Sequence, residues 1–352
     1  MKKENKRFLY LDLLKVFAAI FVIFNHYSYV IDKNSFVFNF FTTVFFVVCK
    51  TAVPIFIMVT GALILSKKIS YKEIFAKRIF RVVIPLIVVS FIYFFLVIND
   101  FSFNNLLKFV LSMFTNYNGD YIPYWLWYLY ALIALYIMSP FLQKMLDNFT
   151  NKDYKYFFLF FIVGLGIINF VLSLLMIFFN LYINFNSGIV SNIFSNTVGL
   201  YVFGFYIFRN KISVRMKNIS WVVLFSSFII GVILTFYAVY FKNFSYDNVA
   251  TWWNLFVILL ACSLFVLFKY YFDDFKFNSF LKKVIVICSN SSFGVYLIHP
   301  FLYDFLKNNF IIKELINVNS IIGCLFMVLL AYVFLVILFY FLKKVPIFNK
   351  FF

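Results

Sequence analysis

The sequence predicts an all-α, polytopic membrane protein with about ten transmembrane helices and both termini in the cytoplasm. Of the 352 residues 65% are hydrophobic, the mean hydropathy is +0.96, and only 12% are charged, about half the soluble norm. Apolar runs long enough to cross a hydrocarbon core, which takes about 20 helical residues, recur from end to end. Helices are expected because lipid cannot pair an exposed backbone group.

Ten apolar runs have the required length, and together they predict a single membrane domain over residues 1–352, with no soluble domain beside it. An amphipathic stretch at about 100–121 is expected to lie on the membrane surface. The ten predicted spans cover residues 8–31, 40–65, 79–99, 122–143, 156–180, 189–208, 220–241, 251–271, 284–306 and 318–342.

The distribution of positive charge predicts the orientation. With the N-terminus inside, 24 of the 31 Lys and Arg residues lie on the cytoplasmic side, among them Arg81 and Lys269 at the cytoplasmic ends of their spans. Another 5 lie outside, while Lys15 and Lys50 lie deeper within spans. Because loops rich in these residues stay in the cytoplasm, both termini are expected there. The amino-acid composition is of the type that AT-rich genomes encode, and the sequence has no signal or organelle motif. Both observations favour the bacterial plasma membrane.

The same distribution argues against some functions. A net charge of +18 would suggest nucleic acid, but the basic residues are spread between apolar runs and form no patch, so membrane lipid is the expected partner. The cysteines stand singly, without metal-ligand spacing, and predict neither a disulfide framework nor a metal site. They are Cys49, Cys262, Cys288 and Cys324.

The first predicted span contains ionisable residues, which are costly in lipid and therefore candidates for function. Lys15 and His26 are eleven residues apart, about 20° from three whole helical turns, so they share a face. Asp12 and Asn25 fall near the same stripe, which suggests a helix facing the bundle interior. Asp12 is placed to pair with Lys15 at i, i+3, and a plain interfacial ion pair remains an equal alternative.

The chain has two histidines, and both fall within predicted spans. His26 lies about 16 Å along the helix from Lys15, too far for Asp12 to orient its ring. Imidazole suits general-base work near neutral pH, so His26 is the predicted catalytic residue. For His299 a structural or cavity-lining role is favoured.

Two arginines lie at the cytoplasmic start of the third predicted span, one just before it and one just inside it. Arg78 and Arg81 are spaced i, i+3, so they share a helix face at the cytoplasmic side. Guanidinium groups bind phosphate in bidentate fashion, which makes this face a candidate phosphate site. Ordinary anchoring by positive charge explains the pair equally well.

Five segments together resemble the acyltransferase-3 family of integral-membrane acyltransferases. The family pattern of a basic residue, ten intervening residues and histidine is matched by Lys15 and His26, although arginine is more usual at the first position. The other four matches are Val53–Gly61, the Arg-x-x-Arg pair at 78 and 81, Trp125–Leu129 through Ser139-Pro140, and Ser292–Pro300.

This resemblance implies transfer of an acyl group, usually acetyl, from acetyl-CoA to a hydroxyl of a carbohydrate or glycolipid acceptor. Within the family, the chain resembles the single-domain branch of O-acetyltransferases of surface glycans, of the enterobacterial-common-antigen type. Arg78 and Arg81 would hold the CoA phosphates, Lys15 would stabilise the thioester end or line its path, and His26 would act as base or as transient acyl acceptor. Candidate cavity-lining residues are Asp12, Asn25, Trp127, Tyr128, Ser292, Tyr296 and His299.

The competing interpretation is an exporter of a polysaccharide or lipid-linked sugar, because polar residues in spans suit a transport path as well. An exporter needs access from both faces and no CoA-sized cytoplasmic pocket. The identity of the acceptor and the oligomeric state are left open by the sequence.

Overall fold

The computed structural model describes residues 7–31, 35–98, 100–115, 121–182 and 196–349, and within these ranges the chain forms helices and no strands. The fold class predicted from the sequence is therefore confirmed. In chain order the helices are α1 (Leu9–Tyr27), α2 (Phe36–Cys49), α3 (Ala52–Ile64), α4 (Tyr71–Ile98), α5 (Phe103–Phe114), α6 (Tyr124–Leu146), α7 (Asn151–Phe179), α8 (Asn196–Arg209), α9 (Val214–Phe241), α10 (Tyr246–Val249), α11 (Leu255–Phe272), α12 (Ser279–Ile298), α13 (Phe301–Lys307), α14 (Phe310–Val318), α15 (Ser320–Leu342) and α16 (Pro346–Asn349).

Nine helical segments within the described ranges are long and apolar enough to cross a membrane, and α2 and α3 together make one of them. Helix α8 contributes a shorter apolar segment, Thr197–Arg209. The sixth predicted span, 189–208, begins in residues 189–195, which lie outside the described residues. The predicted amphipathic stretch contains helix α5, which carries exposed Leu107, Val110 and Leu111.

Three of the predicted spans differ from the observed helices. The ninth span, 284–306, ends early because Pro300 cannot continue a helix, so α12 stops at Ile298 and α13 starts separately. The second span is interrupted by a turn at Lys50 and Thr51. The eighth begins only at Leu255, which leaves residues 251–254 in a loop.

Helix α1 lies at the centre of the bundle, packed against α2, α3, α11, α12 and α15. Its buried Asp12 carboxylate accepts hydrogen bonds from Arg7 Nε at 2.6 Å, from Arg7 Nη2 at 3.1 Å and from Ser289 Oγ at 2.5 Å. Lys15 Nζ lies 3.8 Å from the same carboxylate. Arg7 also donates to the Asn290 side chain at 2.9 Å. This network joins α1 to α12 across 277 residues of sequence.

Helices α3 and α8 approach each other backbone to backbone. A Cβ atom at Gly61 would lie 1.9 Å from the Tyr201 carbonyl oxygen, and one at Gly204 would lie 1.9 Å from that of Met58. Close contact through small residues is how membrane helices gain packing energy in lipid. This contact fixes the position of α3. The two ends of α3 line different parts of the candidate site described below.

We expect Gly204→Ala to lower the stability of the protein by about 1–3 kcal/mol, the usual range for overpacking. The added methyl group meets backbone, which cannot rotate away as a flexible side chain would. The measurement is thermal unfolding in detergent, with Val222→Ala as control because Val222 is 69% exposed. Equal melting temperatures for the wild type and Gly204→Ala would contradict the close contact.

The Asp12→Asn substitution is expected to destabilise the protein by about 1.5–3 kcal/mol, the range for losing hydrogen bonds to a charged group. Arg7 and Lys15 would lose their negative partner at the same time. Asp274→Asn is the matched control, since Asp274 is exposed and makes no ion pair in the described part of the chain. Thermal unfolding in detergent checks the difference, and equal effects of the two substitutions would show that the network is not stabilising.

Candidate active site

One cavity, of about 390 Å³, opens beside the N-terminal half of α1. We call it the basic cavity, because its lining contains five cationic side chains and no Asp or Glu. Arg78 lies in a π-helical stretch of α4, Ile74–Ile79, and Arg81 lies in the α-helical turn that follows. The five cations are Lys15, Lys67, Arg78, Arg81 and Lys343.

A second cavity, of about 820 Å³, opens beside the C-terminal end of α1. We call it the tryptophan cavity, because four of the five tryptophans of the chain line it. Trp127 and Trp252 stack with ring centroids 5.1 Å apart and an interplanar angle of 16°, and Trp253 packs edge-on against Trp252. Together with Trp125, these rings give the cavity broad, flat apolar walls.

Two tyrosines line both cavities and separate them. Tyr128 and Tyr296 are buried, and their rings meet edge to face with centroids 5.4 Å apart. The Tyr296 hydroxyl donates a hydrogen bond to the Trp125 carbonyl oxygen, which fixes its ring. A molecule reaching from one cavity into the other would pass these two rings.

His26 lines the tryptophan cavity, one residue before the end of α1. Its Nδ1 shares a hydrogen bond of 3.2 Å with the Tyr124 hydroxyl. The second histidine lies beside it, with ring centroids 5.0 Å apart. His299 is fully buried, and its Nδ1 donates to the Tyr296 carbonyl oxygen at 2.8 Å, because a carbonyl can only accept. His26 is thus the histidine that a ligand can reach.

An ion pair stands at the wall of the tryptophan cavity. Lys50, in the turn between α2 and α3, donates to Asp247 Oδ1 at 2.5 Å, and the Tyr29 hydroxyl donates to Asp247 Oδ2 at 2.6 Å. Burial raises the pKa of the Asp247 carboxyl, but Lys50 and then Tyr29 outweigh it, so the pKa lies below its ordinary value. The carboxylate therefore stays ionised beside His26 and keeps lone pairs for a ligand hydroxyl.

The residues singled out from the sequence divide between the two cavities. Of the candidate site residues, Asn25, His26 and Trp127 line the tryptophan cavity, while Lys15, Arg78, Arg81 and Ser292 line the basic cavity. Tyr128 and Tyr296 belong to both. Asp12 and His299 line neither of these two cavities and instead make the hydrogen bonds described above.

Several residues that line the two cavities were not predicted from the sequence. Lys50 was identifiable, since an ionisable residue in a span is a candidate by default. Lys67 and Lys343 were counted only as positive-inside charge. Asp247 lies in the short helix α10, between two apolar runs of the sequence, where an acidic residue gives no signal.

Helix α1 thus lines the basic cavity with its N-terminal half and the tryptophan cavity with its C-terminal end. A comparison with protein families identifies the class of protein. The model of the acyltransferase-3 family, described as an acyltransferase domain, matches residues 8–340. The chain therefore belongs to this family and is a multi-pass membrane acyltransferase. No curated protein and no solved structure matches it significantly.

Proposed function

We propose that the protein is an O-acetyltransferase of the bacterial plasma membrane. It moves an acetyl group from cytoplasmic acetyl-CoA to a hydroxyl of a cell-surface or lipid-linked carbohydrate. The observation that carries this proposal is the placement of Lys15 and His26 on one helix but in different cavities, which meet at Tyr128 and Tyr296.

The basic cavity is the proposed donor site. CoA carries a diphosphate and a 3′-phosphate, and guanidinium groups are suited to both. Arg78 and Arg81 would bind phosphate, with Lys15 along the path of the thioester arm. The excess of Lys and Arg on the predicted cytoplasmic side supports access from the cytoplasm, where acetyl-CoA is found.

The pantetheine arm of the donor would then run towards the tyrosine pair. Lys15 and His26 are about 16 Å apart along α1. A donor with its phosphates in the basic cavity must therefore extend its thioester end towards His26. The arm is thin and flexible, which suits passage between two aromatic rings.

The tryptophan cavity is the proposed acceptor site. Sugar rings present apolar C–H faces to aromatic walls and hydroxyls to a few fixed polar groups, and ligand pockets commonly combine the two. Trp127 and Trp252 offer the flat surface, while Asp247 and Tyr29 offer oxygen atoms for hydrogen bonds. These features support a carbohydrate over a purely apolar acceptor.

His26 is the proposed general base. Its imidazole takes the proton of the acceptor hydroxyl while that oxygen attacks the thioester carbonyl carbon. The carbon–sulfur bond breaks, and the CoA thiolate leaves and is protonated in turn. In the alternative, the His26 imidazole first attacks the thioester carbonyl carbon, so that a nitrogen–carbon bond forms as the carbon–sulfur bond breaks and CoA leaves as the thiolate. The acceptor hydroxyl then attacks this acyl-His26, the nitrogen–carbon bond breaks, and the hydroxyl proton passes to the released imidazole. A site closed to bulk water protects the acyl group from hydrolysis.

The alternative function, export of a polysaccharide or lipid-linked sugar, is less well supported. Membership of an acyltransferase family and the cluster of cations in the basic cavity both favour chemistry on an anionic donor.

The His26→Ala substitution is expected to slow acetyl transfer by about 10²–10⁴-fold, the usual contribution of a general base. Acetyl-CoA affinity should stay unchanged, because His26 lies in the other cavity. The measurement is release of free CoA thiol by purified protein in detergent with a surface-glycan acceptor, alongside acetyl-CoA binding. Wild-type turnover by the variant would remove His26 from the mechanism, and a wild type that binds no acetyl-CoA at sub-millimolar concentration would favour the exporter.

Arg78→Gln and Arg81→Gln are each expected to raise the KM for acetyl-CoA about 10-fold or more, with kcat little changed, because a lost charge-assisted hydrogen bond weakens binding uniformly. Lys77→Gln is the matched control, since Lys77 is exposed and does not line the basic cavity. If all three variants keep the wild-type KM, the arginines are only membrane anchors.

A further inference from the structure

The basic cavity holds more positive charge than its acidic neighbours balance. Arg78 pairs with Glu73 at 3.3 Å, and Lys15 lies 3.8 Å from Asp12. The other three cations, Lys67, Arg81 and Lys343, have no carboxylate within ion-pair distance among the residues that the structure describes. An anion with more than one charged group would complete this cavity.

The cations form two groups on different elements. Arg78 and Arg81 lie on α4, and Lys67 follows the end of α3 nearby in the chain. Of the other two, Lys15 lies on α1 and Lys343 directly follows the last residue of α15. The donor nucleotide of the proposed function also has two separate phosphate positions, the diphosphate and the ribose 3′-phosphate.

The ammonium group of Lys343 is fixed in place. Its Nζ donates to the Asn290 carbonyl oxygen at 2.5 Å, which leaves two N–H donors for a ligand. Burial, and then the positive charges of Lys15 and Arg7, lower the pKa of Lys343 to about 8. A phosphate at this point would relieve the repulsion among these cations.

The position of Lys343 suggests which phosphate it meets. Arg78 and Arg81 offer two guanidinium groups on α4, whereas Lys343 offers a single ammonium group just beyond the end of α15. The diphosphate joins directly to the pantetheine arm, while the 3′-phosphate is a separate single group on the ribose. The arginine pair therefore suits the diphosphate, and the single lysine suits the 3′-phosphate.

We propose that Lys343 binds the ribose 3′-phosphate of the CoA donor and so makes the site selective for CoA over its 3′-dephospho form. This inference rests on the proposed function, because it takes the basic cavity as the donor site. It adds a specificity residue from the last membrane helix, far in sequence from Lys15 and from the arginine pair.

The test compares binding of CoA and of 3′-dephospho-CoA to purified protein in detergent. Lys343→Gln should weaken CoA binding about 10-fold or more and leave the affinity for dephospho-CoA at the wild-type value. Lys343→Arg should keep most of the CoA affinity. Lys344→Gln is the control, because Lys344 is adjacent but packs over the rings of Tyr340 and Phe341 and does not line the cavity.

The unchanged affinity of Lys343→Gln for dephospho-CoA also shows that the variant is folded. CoA binding as tight as in the wild type would overturn the role of Lys343 and leave the proposed donor site intact. An equal loss for both nucleotides would overturn it too, since the 3′-phosphate would then not be the group recognised. A wild type that binds neither nucleotide would refute the donor site itself and this inference with it.

Discussion

The buried carboxylate of Asp12 is the constraint on which the position of helix α1 depends. A carboxylate away from water is tolerated only when its oxygens are paired, because desolvation of a charge is expensive. Here Arg7, Ser289 and Lys15 surround it. Because Ser289 belongs to α12, the requirement to satisfy one charge also sets α1 against the helix that carries Ser292 and Tyr296.

The placement of α1 in turn brings one helix to both cavities. In the proposed function, a phosphate-bearing donor needs clustered cations, whereas a sugar needs flat apolar surfaces with a few polar groups. The structure places these two environments at different positions along the helix, where Lys15 and His26 are eleven positions apart. Tyr128 and Tyr296 stand at the junction, where the two reacting groups would have to meet.

The lysine that lies at membrane depth beside the tryptophan cavity is paired. Lys50 lies within a segment long enough to cross the membrane, but Asp247 and the ring of Phe46 cover its ammonium group. The pairing keeps both charges beside His26 while reducing the cost of placing a lysine at that depth. The pair also holds the loop that carries Trp252 and Trp253 against the turn between α2 and α3.

Many residues of the candidate site could be predicted from the sequence, but less could be predicted of their arrangement in space. Lys15, His26, Arg78 and Arg81 stood out because charged residues are rare in apolar runs and their spacing was informative. Lys343 gave no such signal, since cytoplasmic tails of membrane proteins commonly carry lysines that only anchor them. Asp247 gave none either, because acidic residues are ordinary between apolar runs.

The helical class and the approximate spans follow from the order of residues alone, because hydrophobicity and backbone pairing in lipid act over about 20 neighbouring residues. The shared face of Lys15 and His26 follows from helix geometry in the same way. Long-range packing is what opens these two residues into different cavities and sets which cations and rings surround each. Those contacts join residues as far apart as Asp12 and Ser289, or Lys50 and Asp247, and no local pattern records which distant helices pack together.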